Sequence, residues 1–182
     1  RSMALIDSPK AAALHKLSAI FATAATNARC SHAVWTTGEG FNRVPNDNQP
    51  PSAWGEFPVK SAMPFEEAYG LLPPRLRRQG IRVIISDLFW PGDPLPTLRK
   101  LTEDAAAVHV VQLLAQSDVE PPDPGNVELI DHETGETLSL YIDASMQQQY
   151  RQTLKRLQQS WHDAARQTGA QLVTLVAEQI DN

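Results

Sequence analysis

Two short stretches limit what this chain can fold into. "IRVIIS" (Ile81–Ser86) and "AVHVVQLLA" (107–115) are rich in β-branched residues and almost continuously apolar. A sheet with one wet face would alternate apolar and polar residues. An unbroken apolar run predicts a strand covered on both faces, as in parallel sheets, and places 81–86 in the middle of the sheet. "PLPTLRKLTEDA" between the two reads as a short helix. "SMQQQYRQTLKRLQQSWHDAARQTG" reads as a long amphipathic helix with Tyr150, Leu154, Leu157 and Trp161 on one face, closed at Gly169. "AQLVTLVAE" is the last strand. Strand, helix, strand, helix, strand predicts an α/β domain with a mostly parallel sheet.

The remaining segments surround this frame. Ser8-Pro9 marks the start of a helix running through "KAAALHKLSAIFATAATNA", with Ala13, Leu17, Ile20, Phe21 and Ala24 as its buried face. "CSHAVWTTG" is expected as a strand ending at Gly38. Residues 40–60 hold four prolines, three asparagines and two glycines, which predicts a long loop. A helix is expected from Pro64, interrupted near Pro73-Pro74 and closed at Gly80. Val127 and Leu129, then Leu138, Leu140 and Ile142, alternate on either side of "DHETGE", which predicts a β-hairpin as an antiparallel excursion at one sheet edge.

At 182 residues, 42% hydrophobic and 20% charged, the chain is long enough for one domain with its own core. A net charge of −5 argues against nucleic acid, which demands a concentrated basic surface. Arg75, Arg77 and Arg78 read as a solvated helix end. The single cysteine, Cys30, excludes an intrachain disulfide and a cysteine-based zinc site, and fits a reducing, cytoplasmic setting. No apolar run is long enough to span a bilayer, so no membrane contact is expected from this segment.

Candidate chemistry gathers at Asp87. It ends an apolar strand, and in doubly wound sheets ligands collect beyond the carboxyl ends of the strands. The bland alternative is an aspartate that caps the following turn or is satisfied by loop amides. None of the five histidines has zinc spacing, and His109, inside a strand, is expected as a core residue. Cys30 and His32 would share a face if they lie on a strand, but no third group orients such a nucleophilic pair. Asp131, Glu133 and Glu136 form an acidic turn that lacks calcium-loop spacing and reads as a solvated hairpin tip. Trp161 is expected in the core, whereas Trp54 and Trp90 lie in loops, with Trp90 on a rim facing a partner. No nucleophile elbow, phosphate loop or dinucleotide fingerprint is present, and "TTGEG" is a turn.

"IRVIISDLFWPGD", the hairpin "NVELIDHETGETLSLYID" and the tyrosine-bearing helix before "TGAQLVTLVAE" occur in an order that resembles a bacterial family of von Willebrand factor A-like domains, the domain-of-unknown-function family number fifty-eight. The resemblance covers 80–182 well and the first eighty residues more loosely. It implies a doubly wound, Rossmann-like sheet flanked by helices, in a single domain over 1–182 whose first strand lies before Arg1. It also implies a metal-ion-dependent adhesion site for Mg²⁺, with Asp87 as the distal acid, Ser2 in "RSM" as the last serine of the first motif, and Ser61 in the middle loop. Members more often carry Thr-Asp where this chain has Ser61-Ala62. Hydroxyls and a carboxylate are the hard oxygen donors Mg²⁺ takes. The implied function is a non-enzymatic protein-interaction module acting as adaptor to a MoxR-type AAA+ ATPase. The alternatives are a structural domain without a working metal site, or a metal-dependent hydrolase, which would need a general base near the ion.

Overall fold

In the computed structural model, residues 8–38, 40–54, 63, 65–90, 92–130 and 137–180 are described. Helix α1 (Pro9–Asn27) starts where expected: the Ser8 side chain accepts a hydrogen bond from the Ala11 amide at 3.2 Å, and Pro9 occupies the first turn. Its buried side is Lys10, Ala11, Ala13, Leu14, Leu17 and Ala22. Ile20 and Phe21, expected on that side, are 50% and 37% exposed. Helical spacing alone cannot choose between neighbouring stripes. The helix turns its smaller residues inward and lets Leu14 and Leu17 do the packing.

Strands β1 (Trp35–Gly38) and β2 (Gly40–Arg43) form an antiparallel hairpin in the register Trp35↔Arg43 to Gly38↔Gly40. The expected strand is therefore shorter, and the expected loop begins with a strand. Cys30 and His32 precede β1 in irregular chain, so the strand face that would have paired them does not exist. Helix α2 (Phe65–Leu71) stops ahead of Pro73-Pro74, which cannot continue it. Arg75, Arg77 and Arg78 thus lie on irregular chain and not at a helix end: Arg77 donates to Ser31 Oγ at 2.7 Å, and Arg78 pairs with Asp104 at 3.2 Å.

Then follow β3 (Ile81–Ser86), α3 (Pro94–Thr102), β4 (Ala107–Leu114), the single turn α4 (Gln116–Val119), β5 (Gly125–Ile130), β6 (Thr137–Ile142), α5 (Ala144–Thr168) and β7 (Gln171–Val176). The parallel sheet has the order β3-β4-β7, with Ile81↔Ala107 and His109↔Gln171 in register. The middle strand is β4, and His109 is half-buried within it. Among the described residues β3 pairs with β4 alone, and Ile81 at its start is 69% exposed. An apolar run reports cover over the faces, not the number of strand neighbours. Strands β5 and β6 form the expected hairpin, but among the described residues as a separate two-stranded sheet and not as an extension of the parallel one. The turn at 131–136, with Asp131, Glu133 and Glu136, lies outside the described residues.

Helices cover both faces of the sheet, as the apolar strands require. Val108 and Val110 pack with Leu98, Leu101, Trp161 and Ala164 on one face. Val111 and Leu113, on the alternate side, pack with Leu14, Leu17 and Ala177. Trp90 belongs to the first cluster. It stacks on Phe65 at 5.1 Å and meets Trp161 edge-on at 5.2 Å, so it is a packing residue and not the expected rim. The architecture of the described residues is α/β, a three-stranded parallel sheet flanked by helices and accompanied by two antiparallel hairpins.

Candidate functional site

A carboxylate follows each parallel strand at its carboxyl end: Asp87 after β3, Asp118 in the turn after β4, and Glu178 after β7. Asp87 is 4% exposed. The turn that places it is held by short-range bonds. The Leu88 amide donates to Ser86 Oγ at 3.1 Å, and the Phe89 amide donates to Asp87 Oδ1 at 3.3 Å. Asp87 thus caps the turn as the bland alternative expected, and Ser86 braces the same turn. Leu88, fully buried, sits at φ 59, left-handed backbone that a leucine adopts at a cost of about 1–2 kcal/mol. Burying the Leu88 side chain in the first core cluster offsets that strain.

The charge facing Asp87 comes from α1. Lys10, 3% exposed, brings its Nζ to 3.7 Å from Asp87 Oδ2 and 2.8 Å from Asp118 Oδ2. Among the described residues that nitrogen finds no acceptor in hydrogen-bonding alignment, so the attraction is of charge for charge. Asp118 is fixed independently: its Oδ2 accepts from the Ala115 amide at 2.9 Å. The Tyr150 hydroxyl donates to the Asp118 carbonyl oxygen at 2.7 Å. Partial burial, then the Asp118 charge, raise that hydroxyl above its ordinary 10.0. The Lys10 ammonium also lies 5.9 Å from the centre of the Phe89 ring.

Behind the turn lies Gln112 of β4, 1% exposed. Its Nε2 donates to the Asp87 carbonyl at 3.1 Å, and its Oε1 accepts from Thr174 Oγ1 at 2.9 Å and from Gln158 Nε2 at 3.4 Å. Each strand end and α5 are joined through one amide.

Of the three residues expected to ligate Mg²⁺, Asp87 stands at the carboxyl edge of the sheet, whereas Ser2 and Ser61 lie outside the described residues. Among the described residues, no three His, Cys, Asp or Glu side chains converge as a metal site. Mg²⁺ takes about six oxygens in a near-octahedron. The described donors beside Asp87 do not fit that demand, because an ammonium occupies the space between Asp87 and Asp118. Lys10 and Asp118 went unrecognised in the sequence, being separated by more than a hundred positions. The available signal was a lysine in the first turn of a helix, where a cation opposes the dipole unless carboxylates face it. A shallow depression on the second hairpin, lined by Asn126, Val127, Ser139, Leu140 and Tyr141, includes none of these residues. Among the described residues no helix is long and apolar enough to cross a membrane.

Over 102 residues the chain is 36% identical to an uncharacterised protein of Mycobacterium avium, an alignment that takes in 54% of this chain and 58% of that relative. The chain therefore spans little more than half the length of the curated relative it matches. No solved structure matches it. The model of a family described as "Protein of unknown function DUF58" matches residues 53–160, more than half of the chain, including β3, the Asp87 turn and Asp118, and the chain belongs to that family.

Proposed function

We propose that the chain is a non-enzymatic protein-interaction module of von Willebrand factor A-like, doubly wound architecture, a single cytoplasmic domain that serves as adaptor to a MoxR-type AAA+ ATPase. Its docking site is the carboxyl edge of the parallel sheet, a degenerate form of a metal-ion-dependent adhesion site to which Ser2 and Ser61 would contribute alongside Asp87. The observation that carries this reading is the buried Asp87 at the end of β3, in a turn whose strained Leu88 holds Phe89 beside the Lys10–Asp87–Asp118 charges. Phe89 is 36% exposed, an apolar contact next to a preset charge cluster. Aromatic side chains in such settings are favoured anchors for a partner protein. The Phe89 amide bond to Asp87 favours a second reading, in which Asp87 only braces the turn of a structural domain.

The test is calorimetric titration of the chain with a MoxR-type ATPase from the same genome, using wild type and Phe89→Ala. Loss of roughly tenfold in affinity in a variant that melts normally supports docking at this edge. Equal affinity in both proteins, or no binding by wild type, leaves the structural reading. Turnover in a broad hydrolase screen, abolished by Asp87→Asn, would overturn the non-enzymatic assignment.

A further inference from the structure

We infer that Lys10 supplies, from within the chain, the positive charge that a divalent ion would otherwise bring to this sheet edge, so that the Asp87–Asp118 cluster is held together without metal. Two carboxylates from different strand ends approach one point, Asp87 at 3.7 Å and Asp118 at 2.8 Å from the same nitrogen. With side chains 6% and 16% exposed, they are screened little by water, and their mutual repulsion must be met locally. The Lys10 side chain is 4% exposed, and its nitrogen is not aligned on an acceptor among the described residues. The helix sets where its backbone stands, and the two carboxylates hold its ammonium. Ser8 and Pro9 fix where α1 begins, and that start delivers residue 10 to the strand ends. The lysine thereby ties α1 to both β3 and the turn after β4, which is the bridging work of a metal between loops. Its role is positioning: it holds Asp87, and through it the turn bearing Phe89. The link to partner docking rests on the function proposed above. The charge balance among Lys10, Asp87 and Asp118 does not.

The experiment therefore reads metal response and stability, not partner binding. Wild type, Lys10→Met and the double variant Lys10→Met/Asp118→Asn are melted with EDTA and with millimolar MgCl₂, and wild type is also titrated with MgCl₂ by calorimetry. We expect wild type to give no binding heat and the same Tm in both conditions. Lys10→Met should melt roughly 10 °C lower in EDTA, as loss of one member of a buried ion cluster does. Mg²⁺ should recover part of that loss. The double variant should regain part of the Tm without metal, because one of the two facing charges is gone. Binding of Mg²⁺ by wild type, a Lys10→Met Tm equal to wild type, or no Mg²⁺ response in Lys10→Met overturns the inference. If Lys10→Met does not fold, the wild-type titration decides alone: saturable binding overturns the inference and its absence supports it.

Discussion

Gln112 shows what one residue does here. An amide inside an apolar strand is costly unless each polar atom finds a partner. Gln112 finds them in the Asp87 carbonyl, Thr174 and Gln158, and so links the β3 turn, β7 and α5. The mere presence of glutamine in "AVHVVQLLA" was readable as a demand for partners, but their identities depend on strand order, which periodicity does not encode. Tyr150 offers a test by pH. Its hydroxyl is raised above 10.0 by burial and by Asp118, so the folded state binds this proton more tightly than the unfolded chain does. The associated stability is fully present below the unfolded value and is lost as pH rises through the folded one. Urea unfolding of wild type and Tyr150→Phe from about pH 9 to about pH 12 should show wild type losing more stability across that window. Parallel curves for the two proteins would show that Tyr150 contributes nothing to the loss.

At the scale of elements, legibility followed local chemistry. The helices with strong start signals begin where the sequence places them, whereas α3 ends at Thr102, ahead of the "EDA" expected to continue it. Asp93 accepts from Leu95 at the start of α3, Asp143 accepts from Met146 at the start of α5, and Gly169 closes α5 at φ 74. The three parallel strands were legible from apolar continuity. The first hairpin was not, because "WTTG" and "GFNR" are too short and too polar to show a period, and their pairing depends on a contact from elsewhere. That contact is at Gly40. It has φ +93, the Phe41 amide donates to the Leu72 carbonyl at 3.0 Å, and a Cβ on Gly40 would stand 2.6 Å from Leu72 Cβ. Gly40→Ala must therefore both adopt left-handed backbone and push α2's exit away. We expect a loss of roughly 1–3 kcal/mol, read as a lower urea midpoint at unchanged slope. An unchanged midpoint would mean that the hairpin does not depend on this close approach.

For the molecule as a whole, the sheet order implies an uneven distribution of stability. Strand β4 is paired on both sides and carries Val110, Val111, Leu113 and Leu114, each at most 3% exposed, into the two helix-covered faces. Opening it disrupts both core clusters at once, so its amides should exchange only through global unfolding. Strand β3 contributes the candidate site but pairs, among the described residues, with β4 alone. Among the described residues, strands β5 and β6 pair only with each other. A two-stranded sheet is marginal by itself. Tyr141 on it is 65% exposed, and the bond from Gln147 Nε2 to the Pro122 carbonyl lies at the surface. The second hairpin can thus open while the parallel sheet stays intact. Hydrogen exchange followed by mass spectrometry at rising urea should rank peptides from β5 and β6 well below those from β4 in opening free energy, with β3 between them. The ranking also bears on the site. If β3 opens below β4, the Asp87 turn can rearrange without unfolding the protein, as a docking edge requires. If β3 and β4 exchange as one unit, the Asp87–Lys10–Asp118 cluster is a permanent brace, and the structural reading of Asp87 gains over the interaction module. Hairpin peptides as protected as β4 would show that the two sheets are energetically one.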